Sequence, residues 1–212
     1  MKNLKLFFVF ILIPFLGCVS LKEHEALVDI LTKKIDQCTK YNNVLRNELD
    51  RKSQEKENIS LELKILQQQK QELEISLKKE INEGKVRLTQ RNNRLILNID
   101  NKICFPSGSA TLGKEAEGIL EKVIINLQNF KNNQIYVEGN TDNVPVRKGS
   151  WIKDNWELSA ERAASVTRFL QTKVSPERFS IVGHSYFNAI VPNDTEENKR
   201  LNRRVDIIII PN

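Results

Sequence analysis

Between Leu21 and Glu83 the sequence has no glycine and no proline, and Tyr41 is its only aromatic residue. Without turn formers the chain cannot fold back on itself there. Histidine is almost missing as well: only His24, in that stretch, and His184 further on. No Ser–His–Asp or metal-ligand spacing surrounds His184, which reads as a hydrogen-bonded loop residue. Glu138, Asp142 and Glu161 could imitate a glycosidase carboxylate pair. However, Glu138 alternates with Val137 as an ordinary strand residue, and Glu161 lies on the polar side of a helix. The chain is therefore expected not to be an enzyme, and to need no cofactor or metal. A concentration of one charge sign is missing too. The net charge is +6, of which Lys2 and Lys5 supply two units. Residues 19–89 carry 14 basic and 13 acidic side chains, and residues 90–212 carry 17 and 14. No dense basic stripe exists, which argues against a nucleic-acid partner.

What fills residues 21–84 is a heptad. Its a positions are Leu21, Val28, Ile35, Asn42, Leu49, Lys56, Leu63, Lys70 and Leu77. Its d positions are His24, Leu31, Cys38, Leu45, Lys52, Ile59, Leu66, Leu73 and Glu80. Twelve of these eighteen are apolar, counting Cys38. A 3.5-residue period held over nine heptads predicts a coiled-coil stalk rather than a globular helix. Asn42 at an a position favours a parallel dimer and fixes its register, while Lys52 and Lys56 weaken the middle of the seam. Cys38, facing its counterpart at a d position, is placed for an interchain disulfide in an oxidising compartment. Cys104, beside Phe105, reads as a buried thiol. Gly84 ends the pattern.

Ahead of the stalk, "MKNLKLFFVFILIPFLGC" has a basic start and an apolar run from Leu6 to Leu16. Eleven residues are too few to span a hydrocarbon core of about 30 Å, and they fit a secretory signal. The cysteine after "FLG" resembles a bacterial lipobox, although Pro14 and Phe15 depart from the commonest pattern. The expectation is a signal peptide over 1–17, lipidated Cys18 heading a mature terminus over 18–20, and a membrane anchor through more than one acyl chain.

From Arg91 the period changes. Alternating apolar stretches at "RLILNID", "NQIYVEGN", "RFSIVG" and "RVDIIII" read as strands, separated by helical patterns at "GKEAEGILEKVIINLQNF" and "NWELSAERAASVTRFL". A short helix is expected in "NDTEENKRLNRRV". The apolar run of the last strand suggests burial on both sides. The fold class is α/β: a sandwich with a mixed sheet of βαβαβ type, occupying residues 85–212.

One helix carries an anomaly. Leu158, Val166, Phe169 and Leu170 share a face, and Asp154 with Glu157 has the spacing of a capping box. Arg162 projects between Leu158 and Val166, inside the apolar stripe. A buried guanidinium requires an anion, belonging either to the protein or to a ligand.

"FPSGSATL", "VEGNTDNVP", "NWELSAERAASV", "VGHS" and "NDTEENKRLNRRVDI" stand in one order across residues 95–210. In this the half-chain resembles the OmpA-like C-terminal domain, a peptidoglycan-binding module of bacterial envelope proteins. Asn140 stands where the family usually has His, and Lys199 where it usually has Arg, which bears on the rim of the site. The resemblance implies that Asp142 and Arg162 grip the diamino acid of the peptide stem, the carboxylate holding its ammonium and the guanidinium its carboxylate in a two-point fork. Asn155, Arg203, Ser107 and Ser109 are implied as supporting contacts. On the residues alone, Asp142 and Arg162 could equally be a structural pair. Asn155 could serve only the helix start, and Arg203 could be a strand-edge charge.

Together these features predict a lipid-anchored envelope protein, facing the periplasm from the outer membrane and tied non-covalently to the cell wall. A flagellar-stator-like anchor is the alternative, since "TDNVPV…NWELSAERAASV" looks closer to that subfamily than to the outer-membrane ones. It would require a membrane-spanning helix with a proton-carrying acid, and residues 6–16 contain no acid. A peptidoglycan hydrolase is disfavoured for want of a catalytic constellation.

Overall fold

The structure is a computed structural model describing residues 21–212 except Ser107, Lys148, Ser150 and Asn212. The lipidation residue Cys18 and the signal segment therefore lie outside the described residues, as does Ser107. As the missing turn formers require, one helix, α1 (Leu21–Ser76), runs through 56 residues. The chain divides into two compact units within it, after Asn58. In the first unit the seam residues Val28, Leu31, Ile35, Leu45 and Leu49 are all exposed.

The second unit, Ile59–Asn212, begins with the last turns of α1. Here the packing corrects the expected boundary at residue 85. Leu66, Leu73 and Leu77 are fully buried in the core of the α/β unit. The heptad's final apolar positions are thus satisfied by the unit's own core and not by a partner helix. An apolar stripe at helical spacing says that something covers it, not what. Gln69 sits beside the a position Lys70 and is also fully buried. It donates to Asn126 Oδ1 at 3.0 Å and accepts from Asn133 Nδ2 at 2.7 Å. The helix breaks at Leu77 and resumes as α2 (Lys78–Asn82). It ends in a Schellman motif, with Lys85 N–H on the Glu80 carbonyl, Gly84 N–H on that of Ile81, and Gly84 at φ +66°.

The sheet has five strands: β1 (Val86–Arg91), β2 (Arg94–Asp100), β3 (Gln134–Asn140), β4 (Phe179–Gly183) and β5 (Arg204–Ile210). Their order is β1-β2-β5-β3-β4, with only the β3–β4 pair parallel. The expected mixed α/β fold is therefore the one observed. Strand β1 was not foreseen. It pairs with β2 through a two-residue turn in which Asn92 takes φ +54°, a conformation asparagine tolerates. Helices α3 (Asn101–Cys104), α4 (Lys114–Asn129), α5 (Asn155–Leu170) and α6 (Glu196–Asn202) complete the unit. Val205, Ile207 and Ile209 of β5 are fully buried, as expected. The residues buried on its second face are instead Arg204 and Asp206, an ion pair at 3.0 Å that Asn98 and Asn140 also join.

Helix α5 lies close against β3 and β4 because two glycines face it. A Cβ on Gly139 would stand 1.9 Å from the Ser159 carbonyl oxygen, and one on Gly183 2.8 Å from Ala160 N. As a result, the buried stripe of α5 runs through Asn155, Ser159, Arg162, Ala163, Val166 and Leu170, with Leu158 only half-buried. Gly139→Ala is expected to cost at least ~3 kcal/mol, since backbone must move to admit it. Gly183→Ala should cost less, because its closest approach is 2.8 Å rather than 1.9 Å; thermal melts of the two variants check the order.

Candidate functional site

Three loops meet at the N-terminal half of α5. The loop after β3 carries Thr141 and Asp142, the loop after β4 carries Ser185, and the loop after α3 carries Ser109. Asp142 follows the carboxyl end of a strand, where α/β sheets place ligands. Its side chain is buried, and its Oδ1 accepts the Val144 N–H at 2.9 Å. Its Oδ2 is held by Arg203 Nη1 at 2.5 Å.

Arg203 is the residue between α6 and β5, and its Nη2 reaches Glu196 at 2.6 Å. Burial works against its charge, but Asp142 and Glu196 outweigh that and leave the guanidinium above its ordinary pKa. The strand-edge reading of Arg203 gives way here: it is the carboxylate's direct partner. Glu196, which sequence reasoning missed, completes the chain of charges. Its only sequence signal was an acid in the first turn of a short helix.

Asn155 is the first residue of α5, and its role is to fasten the Asp142 loop. Its Nδ2 donates to the carbonyls of Asp142 at 3.3 Å and Val144 at 3.0 Å. The helix itself is capped by Asp154, whose side chain accepts the Glu157 N–H at 2.9 Å, while Glu157 reaches back to Lys153 N–H at 2.6 Å.

Arg162 is 7% exposed, inside the buried stripe as its spacing indicated. It is not paired with Asp142: among the described residues no carboxylate lies within 4 Å of it. Its Nε donates to the Ser109 carbonyl at 3.0 Å, and its guanidinium carbon lies 5.2 Å from the centre of the Phe105 ring. Ser109 thus contributes its backbone oxygen; its hydroxyl accepts from Thr111 N–H. Burial pulls the Arg162 guanidinium down to about 10, with Arg203 nearby acting in the same direction and Asp142 opposing. No hydrogen-bond acceptor among the described residues engages the Nη1 and Nη2 atoms of Arg162. A carboxylate there would meet the planar fork that guanidinium offers to two oxygens.

Cys104 is fully buried, and burial pushes its thiol up to about 12. Cys38 is exposed.

Residues 104–203 match the OmpA family and form an OmpA family domain. Motility protein B of Bacillus subtilis (strain 168) is 30% identical over 148 residues, which are 69% of this chain and 56% of that protein. Probable lipoprotein YiaD of Escherichia coli (strain K12) is 35% identical over 127 residues, 59% of this chain and 56% of that protein. The chain thus spans little more than half the length of either relative. The solved cell wall anchor of the T6SS from Pseudomonas aeruginosa superposes with a TM-score of 0.61 at 28% identity, covering 66% of this chain and 97% of that one.

Proposed function

We propose that the OmpA family domain binds peptidoglycan non-covalently, without hydrolysing it, by gripping the diamino acid of the peptide stem. The observation that carries this reading is the buried Arg162, whose Nη atoms have no acceptor among the described residues, beside an Asp142 already fixed by Arg203. The ligand carboxylate takes the Arg162 fork, and its ammonium takes the lone pairs of Asp142 that Val144 and Arg203 leave free. Only a zwitterionic amino-acid end satisfies both at once. Incubating the full-length protein with purified wall sacculi tests this: the protein should sediment with them and release no soluble fragments over hours. Protein left in the supernatant, or steady release of fragments, counts against the reading.

On the same reading the protein is an envelope tether, lipidated at Cys18 and anchored in the outer membrane. The part of α1 ahead of Asn58 is its spacer, dimeric through the exposed heptad seam and able to link through Cys38. Relatives named as a lipoprotein, an outer membrane protein and a cell wall anchor support the envelope location. Cys18→Ser should move the protein from the membrane to the soluble fraction; unchanged partitioning into a detergent phase would remove the anchor from the proposal.

A stator-like anchor is the second reading, favoured by the similarity to motility protein B. Deletion should separate the two: loss of swimming with an intact envelope supports the stator, and envelope leakage with normal swimming supports the tether.

A further inference from the structure

Beside the site stands a run of stacked rings that the fold does not need. Trp156, the second residue of α5, lies with its ring centre 5.4 Å from that of Phe187 at an interplanar angle of 25°. Phe187 stacks in turn on Tyr186, at 4.4 Å and 26°. The three are 52%, 66% and 39% exposed, so none is a core residue. A contiguous exposed apolar patch of this kind marks a contact surface.

The patch is also held rigidly to the stem site. Trp156 follows Asn155, whose amide fastens the Asp142 loop. Ser185, preceding Tyr186, donates its N–H to Ser159 Oγ at 3.0 Å, and its carbonyl accepts the Thr141 N–H at 2.8 Å. It is 1% exposed and has φ +56°, a strained conformation for serine.

We infer that Trp156, Phe187 and Tyr186 form a sugar-stacking subsite for the glycan strand that bears the peptide stem. The inference rests on the peptidoglycan reading of Asp142 and Arg162. A stem held at its diamino acid keeps its sugar within a few residues' reach, at most ~3.5 Å per residue. A pyranose ring presents a flat face of C–H groups, which suits the ring surface that this exposed stack leaves uncovered. A protein partner is the competing occupant, but the continuity of the stack with the stem site, through Asn155 and Ser185, favours the polymer proposed for that site.

The test compares two probes on the full-length protein: a disaccharide–peptide muropeptide cut from sacculi with a muramidase, and the same peptide freed of its sugars by an amidase. Wild type should bind the sugar-bearing probe more tightly, by roughly 2- to 10-fold per ring engaged. The double variant Trp156→Ala/Phe187→Ala should lose that advantage and keep its affinity for the free peptide, with an unchanged melting curve. Equal binding of both probes by wild type overturns the subsite alone. Binding of neither overturns the stem site with it. A double variant that keeps the sugar advantage but loses self-association in light scattering reassigns the rings to a protein contact.

Discussion

Arg162→Ala is expected to weaken binding to wall sacculi by about 30- to several-thousand-fold while the domain still melts within a few degrees of the parent. The asymmetry follows from the surroundings of the guanidinium. Among the described residues it makes one hydrogen bond, to the Ser109 carbonyl, and it lies over Phe105. Its burial depresses its pKa to about 10, so the charge is held against a desolvation cost that its neighbours only partly offset. Removing it gives up one hydrogen bond of about 1 kcal/mol and relieves part of that cost. Had it been a structural ion pair with Asp142, its loss would have left a buried carboxylate alone, typically at about 3–5 kcal/mol. Asp142 instead has Arg203 and the Val144 N–H. Arg162→Lys should bind almost as poorly as the alanine variant, because an ammonium cannot replace the fork. Pull-down beside circular dichroism melting decides it. A variant that melts normally and still binds the wall would remove Arg162 from the site.

Leu73→Ala, thirteen positions before the first strand, is expected to destabilise the OmpA family unit by about 2–5 kcal/mol. Leu73 is a d position of the heptad, and as part of a free-standing stalk its loss would leave the domain untouched. It is fully buried in the unit's core with Leu66 and Leu77. Leu49→Ala, a seam change at a residue 69% exposed, should leave the domain's unfolding transition where it is. A fragment beginning at residue 85 should be worse than either, since it loses three buried leucines and strips Gln69 from Asn126 and Asn133. Urea unfolding of the three proteins tests the ranking. If the fragment unfolds like the full-length chain, the helix end is not part of the core.

Much of this protein can be read locally. The missing glycine and proline require a long helix, and alternation locates β2, β3, β4 and β5. The Asp154–Glu157 spacing locates the start of α5, and the 100° geometry of that helix alone puts Arg162 among its buried residues. These are properties of neighbouring residues, so a window of sequence contains them. The partners of the site are another matter. Asp142 finds Arg203 61 residues away, and Arg162 finds the Ser109 carbonyl 53 residues before it. Spacing along the chain says nothing about which of several buried charges will meet. Deciding that took the antiparallel β3–β5 pairing and the close seat of α5 on Gly139 and Gly183, which bring the three loops together. The same holds for the end of α1. A leucine stripe excludes water with equal effect against a second helix or against a sheet-backed core. Only the folded unit, with Gln69 locked between two asparagines, selects the core.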